Sequence, residues 1–130
     1  MTLLFETNVL WSTDYELTQK NEYDHMAAQF SGIPPIHDHQ GDLRLTDGNI
    51  LIEGDVDLII NLSDIEQLYR GFDEFYRPNF IKNLGLFCQP VRIKYTERFS
   101  IHTIYLIAGY NFLGCTNGKA LFNMLQKMLS

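Results

Sequence analysis

The residues most suggestive of chemistry sit together at His37-Asp38-His39. On an extended segment alternate side chains share a face, so both imidazoles would point the same way and form half of a metal site. Completing that site takes a glycine at a fixed spacing, a downstream glutamate and a distant third histidine. Asp42 is a poor stand-in, and His102 lies in no matching motif. His37 and His39 are therefore weak metal candidates, and the same pattern reads as a solvated polar loop after Pro34-Pro35. Nucleophiles fare no better. Ser31, Ser63 and Ser100 occupy no Gly-x-Ser-x-Gly turn, and Cys88 and Cys115 lack an obvious histidine or helix N-terminal partner. Residues 109–118 have neither dinucleotide-binding glycine spacing nor a Gly-Lys-Ser or Gly-Lys-Thr. The chain reads as non-catalytic and without a cofactor.

A second constellation combines Arg70, Arg77, Lys82, Arg92, Lys94 and Arg98 with Tyr69, Phe75, Tyr76, Phe80 and Tyr95. Arginine beside aromatic rings is interface chemistry, because the planar guanidinium stacks and makes forked hydrogen bonds. Arg92 and Lys94, two apart in a strand, should share one face, opposite Val91, Ile93 and Tyr95. The six cations, with Tyr69 and Tyr76, are the candidate contacts for a protein segment or, weakly, an anionic ligand. The same residues also read as a solvated face neutralised from within. Residues 1–66 carry thirteen acids and two bases, and residues 67–130 three acids and eight bases. The net charge of −6 disfavours nonspecific nucleic-acid binding.

The elements that must position these groups follow from patterning. A chain of 130 residues, 45% hydrophobic, with nine Phe and seven Tyr, fits one domain spanning residues 1–130. The first residues contain no basic leader region, and the longest apolar stretch, around residues 104–108, is far short of the roughly 18 needed to cross a bilayer. With the two cysteines read as reduced thiols, the expected location is cytoplasmic. Leu3 to Trp11 predicts a strand, and Ser12-Thr13-Asp14 caps a helix expected over residues 15–31, where Tyr23, Met26, Ala27 and Phe30 form one stripe. Leu43 to Ile52 reads as a hairpin about Asp47-Gly48-Asn49. Leu58 to Leu62 is a strand that continues through Ile65, Leu68 and Tyr69, with a kink or bulge at Ser63-Asp64. Residues 72–83 read as an irregular loop, residues 84–95 as an edge or broken strand because of Pro90, and residues 103–108 as the last strand. Thr116 or Asn117 caps a final helix striped by Leu121, Phe122, Leu125, Met128 and Leu129.

The order of Gly41-Asp42-Leu43-Arg44-Leu45-Thr46-Asp47-Gly48, Ile59-Ile60-Asn61-Leu62-Ser63-Asp64-Ile65, Gly85-Leu86-Phe87 and the closing helix resembles pleckstrin-homology-like domains, closest to the bacterial and GRAM-type branches. The resemblance spans residues 41–130 and leaves residues 1–40 as an N-terminal strand and helix extension. It implies a mainly β, α+β fold, an antiparallel barrel or bent sheet capped by a C-terminal amphipathic helix, used for binding rather than catalysis. It carries over no site. Lipid-binding members place cations around the first hairpin loop, whereas Asp47-Gly48-Asn49 here is flanked by Asp42, Glu53 and Asp55, which would repel phosphate. The leading expectation is a binding or adaptor module. The alternatives are a small-molecule or lipid-binding barrel and, remotely, a cupin-like metalloenzyme through His37 and His39. A homodimer through the Pro90 edge strand is a further expectation.

Overall fold

The computed structural model describes residues 2–20, 34–81, 88–111 and 114–130. Seven strands make one antiparallel sheet: β1 (Leu3–Thr13), β2 (His39–Thr46), β3 (Asn49–Gly54), β4 (Leu58–Asn61), β5 (Ile65–Arg70), β6 (Val91–Glu97) and β7 (Ser100–Ala108), in the order β4-β3-β2-β1-β7-β6-β5. Two meanders, β1 to β4 and β5 to β7, are joined where the long β1 pairs with both β2 and β7. The sheet is open. Its edges are β4 and β5, consecutive in sequence yet at opposite ends of the strand order. The polar Ser63-Asp64 step is thus not a kink in one strand. It lies in a 3₁₀ turn, η1 (Leu62–Asp64), that separates two strands, and the irregularity in pairing falls just after it, between Ile65 and Gln67.

Period-two alternation decides which side chains go inside. Val9 and Trp11, Leu43 and Leu45, Ile50 and Ile52, Ile93 and Tyr95, and Ile104 and Leu106 all enter one core. Helix α2 (Gly118–Leu129) closes this core with Leu121 and Leu125, fully buried, while Phe122 and Met128 pack at its margin. Each such aliphatic chain removed from water contributes roughly 1.5–3 kcal/mol. Asn117 is the N-cap residue, but its side chain makes no cap bond and instead donates to Thr7 Oγ1 at 2.8 Å. Gly41 and Gly54 face each other across β2 and β3, and a Cβ at either would drive into a carbonyl of the opposite strand, of Glu53 or of Gln40.

A second, outer layer covers β7 from the other side. Tyr105 and Ile107 meet Leu17, Ile36, Tyr76, Phe80, Ile81 and Cys88. Buried on both faces, β7 is an unbroken apolar run from Ile104 to Ala108 rather than an alternating one. The irregular loop expected over residues 72–83 is part of this layer: residues 71–81 carry buried side chains and a 3₁₀ turn, η2 (Pro78–Phe80).

Three expectations are corrected. The N-terminal helix α1 (Asp14–Thr18) opens on a reciprocal capping box between Thr13 and Glu16 and ends at Thr18, with Gln19 and Lys20 beyond it. The stripe from Tyr23 to Phe30 lies outside the described residues. Pro90 sits before β6, and β6 is hydrogen-bonded on both sides, by β5 and β7, so it offers no edge for a second copy. Residues 84–87 also lie outside the described residues. Cys88 and Cys115 are joined in a disulfide, with Cα atoms 4.9 Å apart, instead of being free thiols. This removes cysteine usage as an argument for a cytoplasmic location. Among the described residues no helix is long and apolar enough to cross a membrane.

Candidate functional site

The predicted cations that are described lie on several elements: Arg70 on β5, Arg77 on the 71–81 segment, Arg92 and Lys94 on β6, and Arg98 in the turn between β6 and β7. Strand β6 does put Arg92 and Lys94 on the face opposite buried Val91, Ile93 and Tyr95. Arg92, however, is committed internally. Its Nη1 donates to Asp73 Oδ2 at 2.8 Å, its Nη2 donates to Gln67 Oε1 at 2.8 Å, and its guanidinium lies 4.7 Å from the Tyr69 ring centre. The Tyr105 hydroxyl donates to the same Asp73 oxygen at 2.6 Å, and the other carboxylate oxygen accepts the amides of Phe75 and Tyr76 at 2.9 and 2.8 Å. Burial by itself would raise the Asp73 carboxyl, but the Tyr105 hydroxyl, the Tyr76 amide, Arg92 and the Phe75 amide together hold it below its usual value. Burial and the bond to Asp73 push the Tyr105 hydroxyl up, so it stays a donor. Arg92 is an anchor of the outer layer.

Tyr76 is likewise structural. It is 1% exposed, burial raises its hydroxyl well above the ordinary value, and that hydroxyl donates to the Ile36 carbonyl at 2.9 Å. Tyr69 is half-exposed and donates to the Phe72 carbonyl at 3.2 Å. Arg70 is half-buried, with an Nε that finds no hydrogen-bond partner among the described residues. Arg77 is exposed on the 71–81 segment, its Nε donating to the Glu74 carbonyl at 3.2 Å. Arg98 lies at the tip of the β6–β7 hairpin with φ of 53°. Lys82 lies outside the described residues.

The His-x-His pair is split. His37 Nδ1 meets the Pro35 carbonyl at 2.7 Å. His39 stacks on Trp11 with ring centres 4.3 Å apart, its Nε2 2.6 Å from Glu16 of α1 and its Nδ1 2.9 Å from Asp55 of the β3–β4 turn. Two ionised carboxylates can only accept, so this geometry favours the ring with both nitrogens protonated. Burial would lower the His39 pKa, but the hydrogen bonds and charges of Asp55 and Glu16 outweigh it and raise it. His39 is an electrostatic clamp between two elements. His102 stacks on Tyr95 at 5.5 Å. Among the described residues no group of three or more histidines, cysteines or carboxylates is placed to hold a metal ion.

The feature best built for recognition was not among the predicted residues. Strand β5 pairs with β6 on one side only, and its other edge pairs with no strand among the described residues. Beside it α2 and β5 form a groove of about 380 Å³ lined by Ile65, Glu66, Gln67, Leu68, Gln126 and Leu129. Ile65 and Leu68 also pack on the main core, so the groove floor is supported from below. Leu129, on the last turn of the helix, remains 38% exposed. Glu66 is the one charged side chain in this lining, and it accepts a bond from Thr96 at 2.8 Å. A signal for this edge was present in the sequence: Glu66-Gln67 interrupts the apolar alternation directly after a turn, as suits a strand with one partner. Compared with models of known protein families and with curated proteins, the chain matches none of them.

Proposed function

We propose that this protein is a non-catalytic recognition module of pleckstrin-homology-like architecture that takes up an extended segment of a partner protein along β5. One observation carries the reading: a sheet edge whose backbone donors and acceptors pair with no strand among the described residues runs beside a groove with an apolar floor. A regular row of main-chain donors and acceptors is best satisfied by another extended main chain, and alternate side chains of that chain would reach Leu68 and Leu129. The coarser part of that architecture, a seven-stranded antiparallel sheet with a C-terminal helix, is present. With Glu66 the only charged side chain on the lining among the described residues, the groove favours neutral or basic segments over acidic ones.

The test is selection of short random peptides on the whole chain, followed by titration of an enriched peptide under nuclear magnetic resonance. Expected are shifts in the amides of β5 and of residues 126–130, slower exchange of β5 amides, and binding weakened about tenfold or more by Leu68→Asp combined with Leu129→Asp. Peptides that perturb other surfaces, or light scattering that shows a dimer sealed through β5, would overturn it.

A further inference from the structure

Beside the outer layer, between α1 and the 71–81 segment, lies a second, open-sided cavity of about 340 Å³. Leu17 of α1 and Phe75 and Phe80 of the 71–81 segment supply its apolar wall, while Lys20, Glu74 and Arg77 supply its charges. Both sides of the cavity are fixed in advance. The capping box holds α1 at its N-terminus, Asp73 holds the 71–81 segment through the amides of Phe75 and Tyr76, and the Ile36 amide donates to the Phe80 carbonyl at 2.9 Å. Lys20 Nζ is steered by Asp38 Oδ1 at 2.7 Å, and Asp38 is steered in turn by Ser12 Oγ at 2.7 Å. A ligand entering here would not have to order these walls, which removes a large cost of binding. Arg77 spends its Nε on a backbone carbonyl, and its two terminal nitrogens make no hydrogen bond with the described residues.

We propose that this cavity binds a small monocarboxylate with an apolar body, its carboxylate between Arg77 and Lys20 and its body against Leu17, Phe75 and Phe80. The planar guanidinium suits a carboxylate fork. Charge sets the valence: Lys20 is offset by Asp38 and the Glu74 carboxylate also lines the cavity, so a single negative charge is accommodated where a dianion meets two nearby carboxylates. Size sets the class, since the volume lies at the lower end of the roughly 300–1,000 Å³ typical of small-molecule sites. This site is separate from the β5 groove and stands independently of it.

The test is titration of the full chain with hydrocinnamate, followed by calorimetry and by amide shifts, with the neutral hydrocinnamamide and inorganic phosphate as parallel arms. Hydrocinnamate should shift the amides of Leu17, Thr18, Phe75 and Arg77, and the amide and phosphate should each bind about tenfold more weakly or worse. Arg77→Gln, at an exposed position and checked for unchanged melting, should lose hydrocinnamate affinity by a similar factor. Leu68→Asp, in the groove, should leave it unchanged. No shifts at these amides, equal binding of acid and amide, or full affinity in Arg77→Gln would each overturn the proposal.

Discussion

On its inner face β7 presents Ile104, Leu106 and Ala108 to an apolar core closed by Leu121 and Leu125, whereas on its outer face Tyr105 and Ile107 meet a layer secured by directional ties. The inner core needs only hydrophobic side chains of suitable size in the right alternation. The outer layer needs particular partners: Asp73 with Tyr105 and Arg92, Tyr76 with the Ile36 carbonyl, and Cys88 with Cys115. Helix α1, which lends Leu17 to the outer layer, is itself held by His39 through Glu16. Apolar burial is non-directional and indifferent to pH, while hydrogen-bonded carboxylates and imidazoles are neither. The lesson is that one strand can belong to two layers that fail in different ways.

The largest effect should come from the inner face. Leu106→Ala leaves a cavity in the main core and should cost about 3 kcal/mol in urea unfolding, by nearly the same amount at every pH where the protein folds. A strongly pH-dependent cost would break the comparison. Next comes Asp73→Ala, which strips the acceptor from Arg92, Tyr105 and two backbone amides and should cost about 2–3 kcal/mol near neutral pH. Hydrogen exchange should quicken most at Ile36, Tyr76 and Phe80, beyond what the global loss explains, with β2 and β3 least affected. Because the folded Asp73 carboxyl lies below its usual value, its contribution is present above that usual value and is lost as pH falls through the depressed one. The gap between wild type and Asp73→Ala should therefore close on acidification. A gap that persists in acid would assign the loss to packing instead.

The smallest effect sharpens the picture at α1. The folded His39 pKa is raised, so its contribution is fully present below the unfolded value of about 6.5 and fades as pH rises through the folded one. The stability difference between wild type and His39→Gln should be widest in mild acid, so long as Glu16 and Asp55 stay ionised, and should shrink on the alkaline side. Exchange at Leu17 and Gln19 should quicken in step with it. A difference that grows with pH would show that the ring is neutral in the fold.

Much of the inner core was legible. Leu43 with Leu45, Val91 with Ile93, and the Leu121 and Leu125 stripe announce their buried faces through periods of two and three to four residues, because burial on one side of a regular element repeats with its geometry. The hairpin at Asp47-Gly48 was legible for a local reason, since the Thr46 hydroxyl accepts both the Gly48 and the Asn49 amides at 3.2 and 3.1 Å. The outer layer was not. Phe75, Tyr76 and Phe80 follow no period, so they read as an irregular aromatic loop, and only packing in the layer over Tyr105 shows Tyr76 and Phe80 to be core, with Phe75 at its margin. The same holds for the candidate site: Arg92 and Lys94 were correctly placed on one face of a strand, but that face is partly covered by Asp73 from a distant segment.

The sequence by itself determined a β-rich chain, the inward faces of β2 and β6 and the amphipathic closing helix, all of which depend on neighbours a few positions apart. The tertiary structure alone decided that β4 and β5 part to opposite edges, that Cys88 meets Cys115, that His39 is shared by Glu16 and Asp55, and that a groove opens between β5 and α2. These features join residues far apart along the chain, and no local pattern encodes a partner whose position is set only when the whole sheet has formed.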